Sequence, residues 1–433
     1  MTDTMKIYED ERSYIAEIAN LSYSSAGVAR FGGKVAFIPY TVTGDVVKFT
    51  VERDRKTYLE GNLKEILKSS PHRRTYPCQY FGKCGGCQWQ HINYNYQVIS
   101  KKNITKDILE RIGKISNPSI TDTYIAGNEW NYRQRVRFQV GWEKGEVCLG
   151  FNVYNSNKVV DIDTCYILKK SIVDILKEVR RFKNDLKGIL DFEIYYSPKE
   201  DNFVFSGKTK DENFNINNLK KISELFKGGI IRTKTGKSFS IKEPYLNYFI
   251  DSNGYNLKVY ADGFIQANPE VNAVILNSMS EYLSDNYKES TILELFAGSG
   301  NFTFLFSRFC KYVVAVEGNN SSFRALEENI TRNNVLNIYP IRASVKDEVI
   351  KMFNNKRTFD MVFLDPPRVG AKEIIPYIPK FNPKVIIYLS CNPTTLARDI
   401  QTLIFSGYKI EKVIPFDMFP QTFHIETMVI LKR

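Results

Sequence analysis

Apolar runs alternate with amphipathic stretches through the C-terminal part of the chain. Four runs are rich in β-branched residues and have the length of buried parallel strands, at 291–296, 312–316, 360–364 and 385–389. A helical pattern covers 321–333, and another helix follows the last run, with Thr394 as its predicted N-cap. This alternation predicts an α/β domain with a largely parallel sheet, in which ligands bind at the carboxyl ends of the strands.

The first seventy residues have a different pattern. Short alternating strands at 14–18, 34–39 and 45–51 are separated by glycines, and that spacing predicts a small β-barrel. Basic residues are mixed there with Tyr40 and Tyr58, a combination that suits phosphate contact and base stacking but also fits an ordinary solvated surface.

The middle of the chain predicts a mixed α/β domain. Helical patterns cover 93–115 and 165–182, and strands are predicted from 191 to about 251. We therefore expect three domains, at 1–70, 71–260 and 261–433.

Composition and charge narrow the functional classes. No stretch approaches the ~20 uninterrupted apolar residues of a membrane span, and residues 1–10 lack the apolar core of a signal peptide. We expect a cytoplasmic protein without membrane contact. The net charge of +12 suits a polyanionic partner such as nucleic acid, although a Lys-rich proteome also gives such a charge. Seven cysteines, an odd number, favour metal binding or catalysis over disulfides.

Three cysteines are clustered at Cys78, Cys84 and Cys87, among glycines that let the backbone wrap closely. The best candidate for a fourth ligand is Cys165, whereas its competitor Cys148 lies in the middle of a predicted strand. A zinc site usually pairs two close knuckles, so three clustered cysteines and a distant fourth favour an iron–sulfur cluster over zinc. Nearby His91 could be a ligand but is better interpreted as a structural histidine.

Three arginines alternate along the predicted strand at 131–140. Arg133, Arg135 and Arg137 share one strand face, since successive side chains point to opposite sides. A row of three guanidinium groups suits RNA phosphates, and a solvated strand face is the alternative.

The strand ends of the C-terminal domain carry a characteristic series of motifs. A glycine turn at 297–301 follows the first strand, Glu317 ends the second, and Asp365-Pro366-Pro367 ends the third. The glycines let a ligand approach the backbone, and an acid after the second strand suits ribose hydroxyls. The glycine turn alone is weak evidence, but the ordered series indicates an S-adenosylmethionine (SAM) methyltransferase.

The fourth strand end supplies a thiol, Cys391. Carbon-5 of a pyrimidine is not nucleophilic enough by itself, but a thiolate that adds to carbon-6 activates it. A base must then remove the carbon-5 proton, and Glu426, which shares a strand face with His424, is placed for that role. A buried structural cysteine and a surface carboxylate are the alternatives.

Six motifs together resemble the RNA 5-methyluridine methyltransferases, at 264–268, 294–303, 317–318, 364–370, 390–393 and 424–426. The segments 26–30 and 33–39 resemble the RNA-binding TRAM barrel. The resemblance implies a Rossmann-like class I methyltransferase domain, an N-terminal TRAM barrel and a central mixed α/β domain. The segment 342–345 departs from the usual methyltransferase pattern, because it lacks the acid that would contact adenine.

The resemblance also assigns roles to single residues. It implies that Cys391 is the nucleophile and Glu426 the proton acceptor. It implies a [4Fe-4S] cluster on Cys78, Cys84, Cys87 and Cys165. The implied SAM contacts are Gln266, Phe296, Asn301, Glu317 and Asp365.

The combination of barrel and cysteine cluster is similar to the bacterial enzymes that act on 23S rRNA. We therefore expect a monomeric enzyme that methylates carbon-5 of a 23S rRNA uridine. Three alternatives stay open. They are the same chemistry on tRNA, a cytosine-5 methyltransferase, whose usual second cysteine is missing from 365–370, and a non-catalytic RNA-binding protein.

Overall fold

A computed structural model describes residues 13–143, 145–250, 254–283 and 287–433. The start of the predicted barrel domain, including the segment 1–10, lies outside the described residues.

The N-terminal strands form a six-stranded sheet in the order β1-β5-β6-β4-β3-β2. Its strands are β1 (Ser13–Glu17), β2 (Asn20–Leu21), β3 (Ala26–Phe31), β4 (Lys34–Pro39), β5 (Val46–Asp54) and β6 (Tyr58–Lys68). The alternation along β4 and β5 buries Ile38, Val47 and Phe49 on one face, where they form a small apolar core. β1 also contacts β3, so the sheet curls as a barrel does.

A seven-stranded mixed sheet with the order β13-β12-β11-β10-β7-β8-β9 forms the middle of the chain. The elements are α1 (Tyr94–Arg111), β7 (Arg135–Glu143), β8 (Glu146–Asn152), β9 (Val159–Asp161), α2 (Lys170–Arg181), β10 (Ile189–Ser197), β11 (Asn202–Thr209), α3 (Lys220–Glu224), β12 (Gly228–Thr233), β13 (Ser238–Lys242), β14 (Tyr245–Ile250) and β15 (Tyr255–Tyr260). The hairpin of β14 and β15 forms a separate two-stranded sheet. The helix predicted from residue 165 begins only at Lys170, because a turn holds Cys165 through the hydrogen bond from Leu168 N to its carbonyl.

The C-terminal sheet has seven strands in the order β18-β17-β16-β19-β20-β22-β21. The elements are α4 (Pro269–Leu283), β16 (Thr291–Leu295), α5 (Thr303–Phe309), β17 (Tyr312–Glu317), α6 (Asn320–Arg332), β18 (Ile338–Arg342), α7 (Val345–Asn354), β19 (Met361–Leu364), β20 (Val385–Ser390), α8 (Pro393–Phe405), β21 (Lys409–Phe416) and β22 (Glu426–Lys432). The strands from β16 to β20 run parallel, whereas β22 is antiparallel to both its neighbours. The predicted α/β fold is confirmed for this domain.

The N-cap of α8 differs from the prediction. Asn392, and not Thr394, caps the helix, because the Asn392 side chain accepts a hydrogen bond from Thr394 N. Pro393 follows at the first helical position, where its missing N–H costs nothing. The cap fixes the turn that carries Cys391.

Helix α1 packs on the C-terminal domain although it precedes the central sheet in the chain. Its buried face, with Ile104 and Leu109, joins the core that contains Leu396 of α8 and Val413 of β21. None of the described helices is long and apolar enough to cross a membrane.

A buried ion pair fixes α1 to the end of β21. Lys101 Nζ lies 2.5 Å from Asp417 Oδ1, and both side chains are fully inaccessible to solvent. Lys101 also donates to the carbonyl of Phe419 at 3.0 Å. Such a pair is costly to break on one side, because the remaining charge stays buried without its partner.

We expect Lys101→Met to lower the free energy of unfolding by about 3–5 kcal/mol, since it strands the Asp417 carboxylate. The neighbouring Lys102→Met is the matched control, because Lys102 pairs with the highly exposed Asp122 and such pairs contribute at most about 1 kcal/mol. Urea denaturation of both variants measures the difference. Equal effects would mean that the buried pair does not anchor α1.

Candidate active site

The register of two antiparallel strands brings the predicted nucleophile and base together. Ser390, the last residue of β20, pairs with Thr427 of β22. Cys391 comes directly after β20, so the same register extended by one residue sets it opposite Glu426, the first residue of β22. Asp365 follows β19, the parallel neighbour of β20, so its carboxylate is presented at the same edge of the sheet.

Burial and neighbouring charges shift the pKa values of the titratable groups at this edge of the sheet. Burial, helped by the carboxylates of Glu426 and Asp365, raises the pKa of Cys391 to about 12, although Arg368 opposes the shift. Burial and the charge of Asp365 raise the pKa of Glu426 well above its ordinary value. Burial raises the pKa of Asp365 to about 7. Groups shifted in this way by burial and by one another are typical of catalytic sites.

The imidazole of His424, which lies near Glu426 in the chain, is uncharged. Burial, with Arg368, Lys101 and Arg133 nearby, lowers the pKa of His424 to about 3. Its ring packs against Phe423 at 4.4 Å between centroids. His424 is therefore neutral at physiological pH, and it lines the site without supplying a charge.

The raised pKa of Cys391 predicts how its reactivity depends on pH. In protein without SAM, we expect its alkylation by iodoacetamide to accelerate about tenfold per pH unit between pH 7 and 10, because only the thiolate reacts and its fraction stays small. Mass spectrometry of the peptide that contains Cys391 measures the rate. A rate that levels off near pH 8 would contradict the proximity of the buried carboxylates.

Four of the five predicted cofactor residues line one pocket beside the glycine turn. Gln266, Phe296, Asn301 and Asp365 all face it, and Phe264 and Tyr248 complete its walls. The enclosed volume is about 40 Å³, whereas ligand pockets usually measure roughly 300–1,000 Å³.

The fifth residue, Glu317, contacts the pocket wall because its carboxylate binds the backbone of the glycine turn. Its carboxylate accepts hydrogen bonds from Gly298 N at 2.8 Å and from Asn319 N at 2.5 Å. Gly298 itself lines the pocket with a φ of +60°, which glycine adopts without strain. At Gly300 an added Cβ would lie 2.7 Å from a ring carbon of Phe304, so only glycine fits there.

Two residues beside the glycine turn have constrained conformations. Phe296 has a φ of +68°, which is strained for a bulky side chain and is often associated with function. The Asn301 side chain is locked by two amide–amide hydrogen bonds with Asn272 of α4, at 2.9 and 3.0 Å. Neither the strain nor the Asn272 contact could be seen in the sequence, because both depend on the folded chain.

The four cysteines of the predicted cluster meet in a cavity of about 240 Å³ in the central domain. Cys78, Cys84, Cys87 and Cys165 all line it. Burial first and Cys165 second raise the pKa of Cys87. Cys148 is buried in β8 and does not line the cavity.

Two further observations concern the metal site that the sequence predicts at this cavity. Among the described residues, no three His, Cys, Asp or Glu side chains are arranged to hold one metal ion. His91 instead lies with its Nε2 3.4 Å from the Thr41 carbonyl oxygen. The thiols therefore share a space without forming a single-ion site.

Two of the three arginines in the predicted row are paired within the protein. Arg135 and Arg137 both pair with the buried Glu193 of β10, at 2.7 and 2.9 Å. Arg133 precedes β7, and its Nε donates to the Arg135 carbonyl. No sequence pattern indicated Glu193, which is 56 residues beyond Arg137 in the chain. Arg137 remains partly exposed beside the cysteine cavity.

Gln421 was not indicated as a functional residue by the sequence. It links the segment that follows the clustered cysteines to the segment that leads to Glu426. Its carbonyl accepts from Trp89 N at 2.9 Å, and its side chain bonds to Arg74, Gln97 and Glu129 at 2.8–3.0 Å. Its φ of +69° is held by these contacts. The path leading to Glu426 is therefore fixed from three other parts of the chain.

Comparisons with known proteins agree with this geometry. Residues 93–433 match the family model tRNA (Uracil-5-)-methyltransferase, and residues 14–64 match the TRAM domain. A 23S rRNA (uracil(1939)-C(5))-methyltransferase RlmD from Neisseria lactamica is 32% identical over 96% of this chain and 95% of its own length. An uncharacterized RNA methyltransferase from Aquifex aeolicus is 30% identical over 96% of this chain and 97% of its own.

A solved structure shares the fold. The Pyrococcus abyssi tRNA (uracil-54, C5)-methyltransferase in complex with S-adenosyl-L-homocysteine superposes with a TM-score of 0.71 over 96% of this chain and 100% of that chain, at 23% identity. The family model covers most of the chain. This chain, with its N-terminal TRAM domain, therefore belongs to the tRNA (uracil-5-)-methyltransferase family of SAM-dependent RNA methyltransferases.

Proposed function

We propose that this enzyme transfers the methyl group of SAM to carbon-5 of a uridine in 23S rRNA, with Cys391 as nucleophile and Glu426 as general base. The observation that carries the proposal is the register of β20 and β22, which sets the Cys391 position opposite Glu426. A thiol and a carboxylate at the ends of neighbouring antiparallel strands can act on adjacent atoms of one pyrimidine ring.

The two residues act in sequence. The thiolate of Cys391 adds to carbon-6, and the electron pair displaced from the ring double bond makes carbon-5 a nucleophile. Carbon-5 then bonds to the methyl group, and S-adenosylhomocysteine leaves. Glu426 takes the carbon-5 proton, and the electrons of that C–H bond re-form the double bond as the carbon–sulfur bond breaks. The target uridine must be flipped out of its RNA loop to reach this edge.

For the cofactor we propose contacts by Gln266, Phe296, Asn301, Glu317 and Asp365. The first three and Asp365 share one pocket, and Glu317 shapes its backbone through Gly298. We further propose that Gln266 and Asp365 also reach the uracil. Asp365 lies close enough to Cys391 and Glu426 to raise the pKa of each, which supports its position between cofactor and target.

For the central domain we propose a [4Fe-4S] cluster on Cys78, Cys84, Cys87 and Cys165. The residues fit such a group, because four thiols line a single cavity. A [4Fe-4S] cluster would take one thiolate for each of its irons. When bound, the cluster would cross-link the segment 78–87 to Cys165.

We expect anaerobically purified protein to contain about four iron atoms and four inorganic sulfides per chain. Cys87→Ser should remove most of both, because Cys87 lines the cavity. Cys148→Ser is the matched control and should retain them, since Cys148 does not line it. Zinc in place of iron, or equal loss in both variants, would contradict the assignment.

We propose that the barrel (1–70) and central domain (71–260) select the RNA, and that residues 261–433 catalyse the transfer. The TRAM match and the RlmD relatives favour rRNA, whereas the Pyrococcus structure favours tRNA. Methyl-labelled SAM with unmodified 23S rRNA transcript and, separately, with tRNA transcripts decides between them. We expect label in 5-methyluridine from 23S rRNA. Label in tRNA alone would overturn the substrate assignment.

A further inference from the structure

A loop of the N-terminal barrel enters the active site. Residues 22–25, between β2 and β3, carry Tyr23, whose hydroxyl donates to the carbonyl oxygen of Cys391 at 3.0 Å. The Tyr23 ring meets Phe423 edge to face, with 5.5 Å between centroids. One barrel side chain therefore touches the nucleophile residue and the segment that leads to Glu426.

The charges around the phenol belong to the same site. Burial raises the pKa of Tyr23 to about 12, and Cys391 and Glu426 add to the shift. Arg368 opposes it through its charge and a hydrogen bond to the phenol. Tyr23 thus stands beside two of the groups that set the pKa of the nucleophile, Glu426 and Arg368.

The loop is built to hold this position. Ser22 Oγ donates to the Ala26 carbonyl at 2.7 Å, and Ser25 Oγ donates to the Tyr154 hydroxyl of the central domain at 2.8 Å. Leu21 and Tyr23 also pack on the apolar core shared by α1 and the C-terminal sheet. The loop's own hydrogen bonds do not use the Tyr23 hydroxyl, so it can be removed without undoing the loop.

We infer that Tyr23 is a positioning residue for methyl transfer, through which the barrel completes the active site in addition to any contact with RNA. It holds the Cys391 backbone, and with it the direction of the thiol, relative to the segment of the base. This matters because addition at carbon-6 and proton removal at carbon-5 need both groups in register with one ring, and displacements of about 1 Å can cost 10²-fold in rate. The inference rests on the proposed function.

The test compares Tyr23→Phe with wild type. The change keeps the ring contact with Phe423 and removes the hydrogen bonds that the hydroxyl makes with the Cys391 carbonyl and with Arg368, so we expect kcat to fall roughly 5- to 30-fold. KM for RNA should change by less than about twofold, because the phenol acts on the protein and not on the RNA. Tyr14→Phe, which changes a barrel tyrosine that packs on Phe31, is the matched control and should leave kcat unchanged.

A second readout isolates the step. RNA that carries 5-fluorouridine traps the methylated covalent complex, because the fluorine at carbon-5 cannot leave as a proton does. Its rate of formation should fall by the same factor as kcat in Tyr23→Phe, with affinity for S-adenosylhomocysteine and the melting temperature retained. A rise in KM alone, or rates equal to wild type, would overturn the inference while the proposed function stands. Absence of the complex in wild type would overturn the proposed function itself.

Discussion

Cys391→Ala is expected to reduce methyl transfer at least about 10⁴-fold, because carbon-5 of uracil has no other source of nucleophilicity. Affinity for S-adenosylhomocysteine should stay within about twofold of wild type, since no predicted cofactor contact is lost. Transfer of labelled methyl groups to RNA and calorimetric binding of S-adenosylhomocysteine measure the two effects separately.

Cys310→Ala serves as the control for this variant. Cys310 is buried at the end of α5, in the same domain but outside the site, so its removal should leave turnover close to wild type. Turnover by Cys391→Ala at a rate near wild type would show that the thiol is not the nucleophile.

Glu426→Gln is expected to accumulate a covalent protein–RNA adduct that survives denaturing electrophoresis. Without a proton acceptor the carbon-5 proton stays in place, so the bond between Cys391 and carbon-6 cannot break. General bases contribute about 10²–10⁴-fold to rate, and turnover should fall by that range. Only 5% of the Glu426 surface is exposed, so water has little access to replace the base.

Two control variants sharpen this experiment. Glu411→Gln changes a carboxylate of β21 that pairs with Lys432 at the surface, and it should neither trap RNA nor slow turnover. Cys391→Ala combined with Glu426→Gln should lose the adduct entirely. An adduct that persists in the double variant would place the covalent bond on another residue.

The predictions that the fold bears out are local ones. Each strand end of the C-terminal domain carries its motif within a few residues, so the strand pattern and the motif order together could indicate the sheet edge. The N-cap was misplaced because Asn392 and Thr394 are both good capping residues, and only the folded turn shows which side chain accepts.

Long-range contacts could not be predicted from the sequence, and the reason is physical. Arg135 and Arg137 were predicted to share a strand face that suits RNA phosphates, yet both pair with Glu193 on the neighbouring strand, and strand pairing is not encoded locally. Tyr23 lies 368 residues before its partner Cys391. Gln421 likewise connects segments from three parts of the chain, which no motif describes.

The most direct test of the account is the release of tritium from carbon-5. Unmodified RNA made with uridine tritiated at carbon-5 should lose one tritium to water for each methyl group transferred, because every methylation at that atom expels its hydrogen. The Cys391→Ala variant should release none. Methyl transfer without tritium release would place the methyl group on another atom and contradict the mechanism through Cys391 and Glu426.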